Sequence, residues 1–209
     1  MISVKALAGL AAAAYASPPT FRAGDIHAVL TEQAGVTVLA VRGTQPDNLG
    51  DWLRDLDVVP RWHPVLGFCH RGFLDGAEAL RPLTRAALQD APVLVLTGHS
   101  MGGAIALLLA ALMSARGERL PAATVTFGAP RAGTQALARC LIGCEKALYR
   151  NGYDPVPDVP LAMPPELPLP EYQQPAPLRQ VGTPSGDPLS DHAIARYIEA
   201  VPDVPAGSA

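Results

Sequence analysis

Residues 97–103 read Thr97-Gly98-His99-Ser100-Met101-Gly102-Gly103, a serine with glycines two residues to either side. The apolar run Pro92–Leu96 precedes it and the apolar run Ala104–Met113 follows it. A G-x-S-x-G sequence between a buried strand and a helix makes a tight turn that strains the serine backbone, and flanking glycines are needed to avoid clashes. Such a turn lifts the hydroxyl to the tip of a sheet. It also aims the helix N-terminus, with its unpaired N–H groups and positive dipole end, at the same spot. The chemistry this suits is nucleophilic attack on an acyl group. Ordinary Gly/Ser turns share the bare pattern, and the strand before and helix after it are what favour the nucleophile.

A nucleophilic serine needs a base to take its proton and a third group to orient that base. Hydrolases with this turn place them in the chain order Ser, Asp or Glu, then His. One histidine lies beyond Ser100, His192 in Leu189-Ser190-Asp191-His192-Ala193, so His192 is the expected base. The acid must come from Glu118, Glu145, Asp154, Asp158, Glu166, Glu171, Asp187 or Asp191. Glu118 follows the helix after the serine and would sit far from the catalytic end of the sheet. Asp191 adjoins His192 and cannot easily wrap round to its Nδ1. Asp154, in Arg150-Asn151-Gly152-Tyr153-Asp154-Pro155, follows a short strand and should emerge at the same strand end as Ser100. Functional groups of open α/β sheets gather at those carboxyl ends, and Pro155 stiffens the backbone beside the carboxylate. Asp154 is therefore the expected acid, with a surface turn as the alternative. For the developing oxyanion, one donor should be the N–H of Met101, the residue after the nucleophile. Arg42-Gly43-Thr44 follows an earlier strand and reads equally as a plain turn or as a second donor at Thr44.

The elements that must hold these residues follow from periodicity. Asp25–Glu32 and Val36–Val41 flank Gln33-Ala34-Gly35 and read as a hairpin. Gly76–Gln89 reads as a helix, Leu94–Leu96 as a strand, Gly102–Ala115 as a helix and Ala123–Phe127 as a strand. Gly133–Ile142 reads as helical, Ala147–Arg150 as a short strand and Asp191–Val201 as a closing helix. Strands alternating with helices predict an α/β fold, a mostly parallel sheet with helices on both faces. Of the 22 prolines, eleven lie between Pro155 and Pro188, which predicts an ordered but irregular excursion over 155–188 rather than another βαβ unit. Leu49, Trp52, Leu53 and Leu56 fall at i, i+3, i+4 and i+7, so 45–60 could carry either a short lid or a fixed core helix.

At 209 residues the chain suits a single domain, and with 49% hydrophobic and 17% charged residues it is too apolar to be disordered. A net charge of −3 gives no footprint for nucleic acid. The longest apolar segment, 103–113, is too short to span a membrane. The alanine-rich start, Ala6–Ala14, is read as a helix packed on the domain, with a signal peptide ending at Ala14-Tyr15-Ala16 as the alternative. A cytoplasmic location accompanies the first reading and secretion the second. Cys69, Cys140 and Cys144 complete no zinc pattern and are expected to be buried free thiols.

The chain resembles the class 3 lipases of the α/β-hydrolase fold. The matching segments are Arg42-Gly43-Thr44, Trp52-Leu53-Arg54-Asp55-Leu56, His70-Arg71-Gly72-Phe73, Thr97–Gly103, Phe127-Gly128-Ala129-Pro130-Arg131-Ala132-Gly133, Asp154-Pro155-Val156-Pro157 and Asp191-His192. They occur in family order across 42–192. The resemblance implies Ser100 as nucleophile, Asp154 and His192 as its partners, and Thr44 and Met101 as oxyanion donors. It also implies that the alanine-rich start with Tyr15 is the family's first helix. The expected function is a serine carboxylester hydrolase acting on lipid-like esters, with no cofactor or metal and a lipid–water interface as one setting for its substrate. A short-chain carboxylesterase, a phospholipase A1, a polyester hydrolase and a catalytically silent binding scaffold are the alternatives.

Overall fold

The computed structural model of the chain describes residues 2–43, 59–160 and 171–206. The segment 44–58, which holds Thr44 and most of the lid expectation at 45–60, lies outside the described residues, as does 161–170.

The first helix, α1 (Val4–Ala16), starts where Ser3 Oγ accepts the Ala6 N–H at 3.2 Å, and it ends before Pro18-Pro19. Val4, Leu7, Ala8, Ala11 and Ala14 are its buried stripe, at helical spacing. The chain then lays down β1 (Phe21–Ala23), β2 (Ile26–Gln33) and β3 (Val36–Val41) as an antiparallel meander. Ala34 and Gly35 both have positive φ (52° and 74°), the two-residue turn whose twist matches a hairpin. A separate hairpin, β4 (Pro60–His63) with β5 (Gly67–His70), runs directly into α2 (Arg71–Gln89).

From β3 onward the sheet is parallel. It adds β6 (Leu94–His99), β7 (Ala123–Phe127), β8 (Glu145–Asn151) and β9 (Leu178–Val181), giving the order β1-β2-β3-β6-β7-β8-β9. Between β6 and β7 runs α3 (Met101–Ala115), buried continuously from Gly102 to Met113. Between β7 and β8 sits α4 (Gln135–Cys140), and α5 (Pro188–Asp191) and α6 (Ile194–Ala200) close the chain. One core, centred on Phe73, Leu80, Leu96, Ile105 and Leu108, joins one sheet face to α2 and α3. A second, with Leu7, Val38, Phe127, Tyr149 and Tyr197, joins the other face to α1 and α6. Among the described residues no helix is long and apolar enough to cross a membrane.

Several elements differ from expectation for identifiable reasons. Helix α2 begins at Arg71 rather than Gly76, because burial of Phe73 and Leu74 outweighs the poor helix propensity of Gly72 and Gly76. A Cβ at Gly76 would stand 3.2 Å from both Ile105 and Ile26, so the glycine allows close packing there. The excursion over 155–188 contains β9, since residues 178–183 carry no proline and their N–H groups can join the ladder. The closing helix is two short helices, broken where Ala193 turns to an extended ψ of 130°. Cys69 and Cys144 are buried free thiols, whereas Cys140 is only partly buried.

Candidate active site

Ser100 stands between the last residue of β6 and the first of α3, at φ 57° and ψ −135°. A residue with a Cβ occupies that region at a cost of roughly 1–3 kcal/mol, so the surroundings must enforce it. They do so through tight backbone contacts. A Cβ on Gly98 would lie 2.5 Å from the carbonyl of Gly102, and one on Gly102 would lie 2.2 Å from the carbonyl oxygen of Val41. The Ser100 N–H donates to the Phe127 carbonyl at 2.9 Å, which ties the turn to the end of the neighbouring strand. Met101 opens α3, at the helix end where first-turn N–H groups point outward along the axis.

Asp154 follows β8 and is wholly buried. A lone buried carboxylate is costly, and this one is surrounded by donors. The Val156 N–H donates to Oδ1 at 2.8 Å, while His192 Nδ1 and the Tyr197 hydroxyl both donate to Oδ2, at 2.8 and 2.5 Å. Because a carboxylate can only accept, the proton of neutral His192 sits on Nδ1 and leaves the Nε2 lone pair available. His192 is buried at 5% exposure, and its Nε2 has no hydrogen-bond partner among the described residues. Its ring lies beside that of His99, the neighbour of Ser100, with centroids 4.5 Å apart. Ser100 and His192 do not share a hydrogen bond in this state, a looseness common in ligand-free sites.

Gly128, just after β7, makes room for this cluster. A Cβ there would fall 2.7 Å from Asp154 Oδ2, 2.9 Å from His192 Nδ1 and 2.9 Å from the Tyr197 hydroxyl. Burial, and then the Asp154 charge beside it, hold the Tyr197 hydroxyl well above the usual tyrosine range, so it remains a donor. The other acids have other work. Asp158 pairs with Arg150 at 2.9 Å, Asp187 caps α5 by accepting the Leu189 N–H at 3.1 Å, and Glu118 pairs with Arg81. Asp191 is buried and accepts the N–H groups of Tyr153 (2.9 Å) and Ser185 (3.1 Å), binding the loop of Asp154 to the segment leading into His192. Burial pushes its carboxyl up, but these hydrogen bonds outweigh that and hold it below the usual range.

Sequence reasoning did not find Tyr197, Gly128 or Asp191. Tyr197 sits five residues after His192 on a short helix, where an aromatic reads as core. Only the Phe127-Gly128-Ala129-Pro130 turn carried a hint for Gly128.

The model of the family "Lipase (class 3)" matches residues 38–163, more than half of the chain. The chain belongs to the class 3 lipase family. It is 32% identical over 133 residues to "Secreted mono- and diacylglycerol lipase 1" of Fusarium solani, covering 59% of this chain and 39% of that protein. It is 34% identical over 128 residues to "Lipase" of Rhizomucor miehei, covering 55% and 35%. The chain thus spans well under half the length of these relatives. Among solved structures, the Rhizomucor miehei lipase propeptide complex superposes with a TM-score of 0.58 at 29% identity, over 66% of this chain and 49% of that one. The lipase of Rhizopus microsporus var. chinensis gives 0.64 at 25% identity, over 76% and 71%. The fold is that of the α/β-hydrolase lipases, and the sheet order with Ser100 at the β6–α3 turn is how this chain builds it.

Proposed function

We propose that this class 3 lipase family member is a serine carboxylester hydrolase for lipid-like esters, with Ser100 as nucleophile, His192 as base and Asp154 as the orienting acid. The observation that carries the reading is the buried Asp154–His192 hydrogen bond of 2.8 Å, one ring away from a serine held at positive φ on the turn before α3. In this reading Ser100 Oγ attacks the ester carbonyl as its proton passes to His192 Nε2. Asp154 holds the imidazole in the tautomer that makes this possible and stabilises the imidazolium that results. The tetrahedral oxyanion is met by the N–H of Met101 and by Thr44, the latter assigned from the Arg42-Gly43-Thr44 motif since Thr44 lies outside the described residues. Each such donor is worth roughly 10²–10³ in rate. Collapse expels the alcohol, which takes the proton from His192, and water then cleaves the acyl-enzyme by the same route in reverse. The steps need no cofactor.

The lipid class of the ester rests on what the Fusarium solani relative is named for, and a lipid–water interface is the setting proposed for such an ester. That name also favours secretion over a cytoplasmic location for this chain. The test is a p-nitrophenyl ester series of increasing acyl length, run on the wild type and on Ser100→Ala, with a phosphonate that labels reactive serines. We expect hydrolysis to fall by about 10⁶ in the variant and labelling to vanish while the protein stays folded, because the turn depends on Gly98 and Gly102 rather than on the hydroxyl. Wild-type-like turnover in the variant would falsify the mechanism, and a preference for the shortest acyl chains would replace a lipase with a short-chain esterase.

A further inference from the structure

Tyr15 is the last residue but one of α1, and its hydroxyl reaches His99 Nδ1 at 3.0 Å. On the opposite side of the same imidazole, His99 Nε2 lies 2.7 Å from the backbone carbonyl oxygen of His192. A carbonyl can only accept, so the single proton of a neutral His99 sits on Nε2. Nδ1 is then an acceptor, and Tyr15 must be the donor to it. The Tyr15 oxygen also lies against the backbone of Gly43, in the turn that precedes Thr44. The fit is close, since a Cβ on Gly43 would stand 2.6 Å from that oxygen and 2.9 Å from the His99 carbonyl. Polarity therefore runs one way: Tyr15 O–H, packed on the Gly43 turn, to His99 Nδ1, and His99 Nε2–H to the carbonyl of His192.

We propose that Tyr15 and His99 are positioning residues that fix the oxyanion turn and the catalytic histidine relative to one another, making α1 a working part of the active site. The inference rests on the serine hydrolase reading above. Neither residue touches the reacting atoms in this account. Tyr15 braces the turn at Gly43, His99 sets the backbone at His192, and the link between them runs through the residue that precedes Ser100. Both groups keep the protonation state this needs. Burial pushes the Tyr15 hydroxyl up to about 12, offsetting the opposing effects of the Gly43 N–H and the Arg42 charge. Burial, and then the neighbouring His192, hold His99 well below the usual histidine range, so it remains neutral and Nδ1 remains an acceptor.

The arrangement also gives the hydroxyl at the C-terminal end of α1 a polar destination. The helix is anchored by Val4, Leu7, Ala8, Ala11 and Ala14, and the half-buried Tyr15 continues that stripe at its C-terminal end. Its ring meets His99 edge-on, with centroids 6.0 Å apart. A cut after Ala16 would remove the hydroxyl together with the helix that delivers it.

The experiment is steady-state kinetics on a soluble ester for Tyr15→Phe, His99→Gln and the double variant, with melting temperature and phosphonate labelling as controls. Tyr15→Phe keeps the ring and loses only the hydroxyl. His99→Gln keeps a donor for the His192 carbonyl but has no acceptor at the position of Nδ1, where Tyr15 donates. Each single variant should lower kcat by about 10–100-fold, the scale on which small misplacements act, and leave KM within about twofold. The phosphonate should still label the whole protein, only more slowly. The double variant should lose little beyond the worse single one, since both break the same link. A folded Tyr15→Phe with kcat within twofold of wild type overturns the proposal, as do losses that multiply in the double variant. If Tyr15→Phe does not fold, His99→Gln alone decides by the same kcat criterion. Failure of the hydrolase reading is a separate outcome, a wild type inert to esters and phosphonate or a Ser100→Ala that still turns over.

Discussion

The two ends of the central sheet solve the problem of charge in opposite ways. At the end where β6 and β8 finish, one carboxylate, Asp154, is fully buried, with three donors fixed on it at 2.5–2.8 Å. At the other end, where α2 and α3 finish, a cavity of about 540 Å³ is lined by Arg81, Arg85, Arg116 and Arg119 with Glu118 among them. There the charges are many and mostly reach solvent. Arg119 donates to the Pro92 carbonyl, Arg81 holds Glu118, and the guanidinium groups face two helix C-termini whose dipole ends are negative. The cavity lies at the end where most charges reach solvent, and the proposed catalytic cluster at the end where charge is buried. A buried charge that must gather three donors is costly to build, and those donors are set to hold one imidazole in one tautomer.

That contrast is sharpest at its acids. Asp154→Ala should reduce ester turnover by about 10⁴, because His192 loses both its orientation and a countercharge for its imidazolium. Asp158→Ala removes an ion pair with Arg150 instead, and should stay within about tenfold of wild type. Both would be measured as kcat/KM on a soluble p-nitrophenyl ester. If the Asp158 variant were the inactive one, the acid would have been assigned one turn too early along the chain after β8.

How far the site could be read in advance depended on whether its cause was local. Ser100 was legible because its strained turn demands Gly98 and Gly102 in the sequence, and Asp154 because a strand end followed by Pro155 has few places to go. The tyrosine hydroxyls around them were not. Tyr197 meets Asp154 across 43 residues of chain, and Tyr15 meets His99 across 84. An aromatic on a helix is read as core unless its hydroxyl has a known destination, and only the assembled sheet supplies one. The fold divides the same way. The β2–β3 hairpin and the strand–turn–helix through Ser100 follow from patterns within a dozen residues. Strand β9 is four residues among prolines and is fixed by pairing with β8, and the break between α5 and α6 accompanies hydrogen bonds that Asp191 accepts from the Tyr153 and Ser185 N–H groups.

Tyr197→Phe tests how much the dense end depends on its third donor. The hydroxyl bonds to a charged acceptor, and such bonds contribute about 1.5–3 kcal/mol. If half or more of that serves to hold Asp154 on His192, kcat should fall by roughly tenfold. Asp154 retains the Val156 N–H and His192, so the loss should stay far short of that in Asp154→Ala. A kcat equal to wild type would mean that two donors suffice and that Tyr197 only fills the core between α6 and the sheet.

The smallest effect is expected at the open end, and it decides whether the two ends are independent. Glu118 receives Arg81 through two guanidinium nitrogens and stands near Arg85, with the Arg81 and Glu118 side chains 17% and 16% exposed. That is more enclosed than an ordinary surface pair. Glu118→Gln should therefore lower unfolding stability by about 1 kcal/mol, the upper part of the range for partly exposed pairs. The urea midpoint would report it, and the difference should shrink in high salt as screening weakens the wild-type pair. Ester kcat/KM should remain within twofold, because the long axis of α3 and a solid apolar core separate Glu118 from Ser100. A tenfold loss of activity at unchanged fold would show that the buried helix transmits strain from one end to the other, and the two regions would have to be treated as one coupled system.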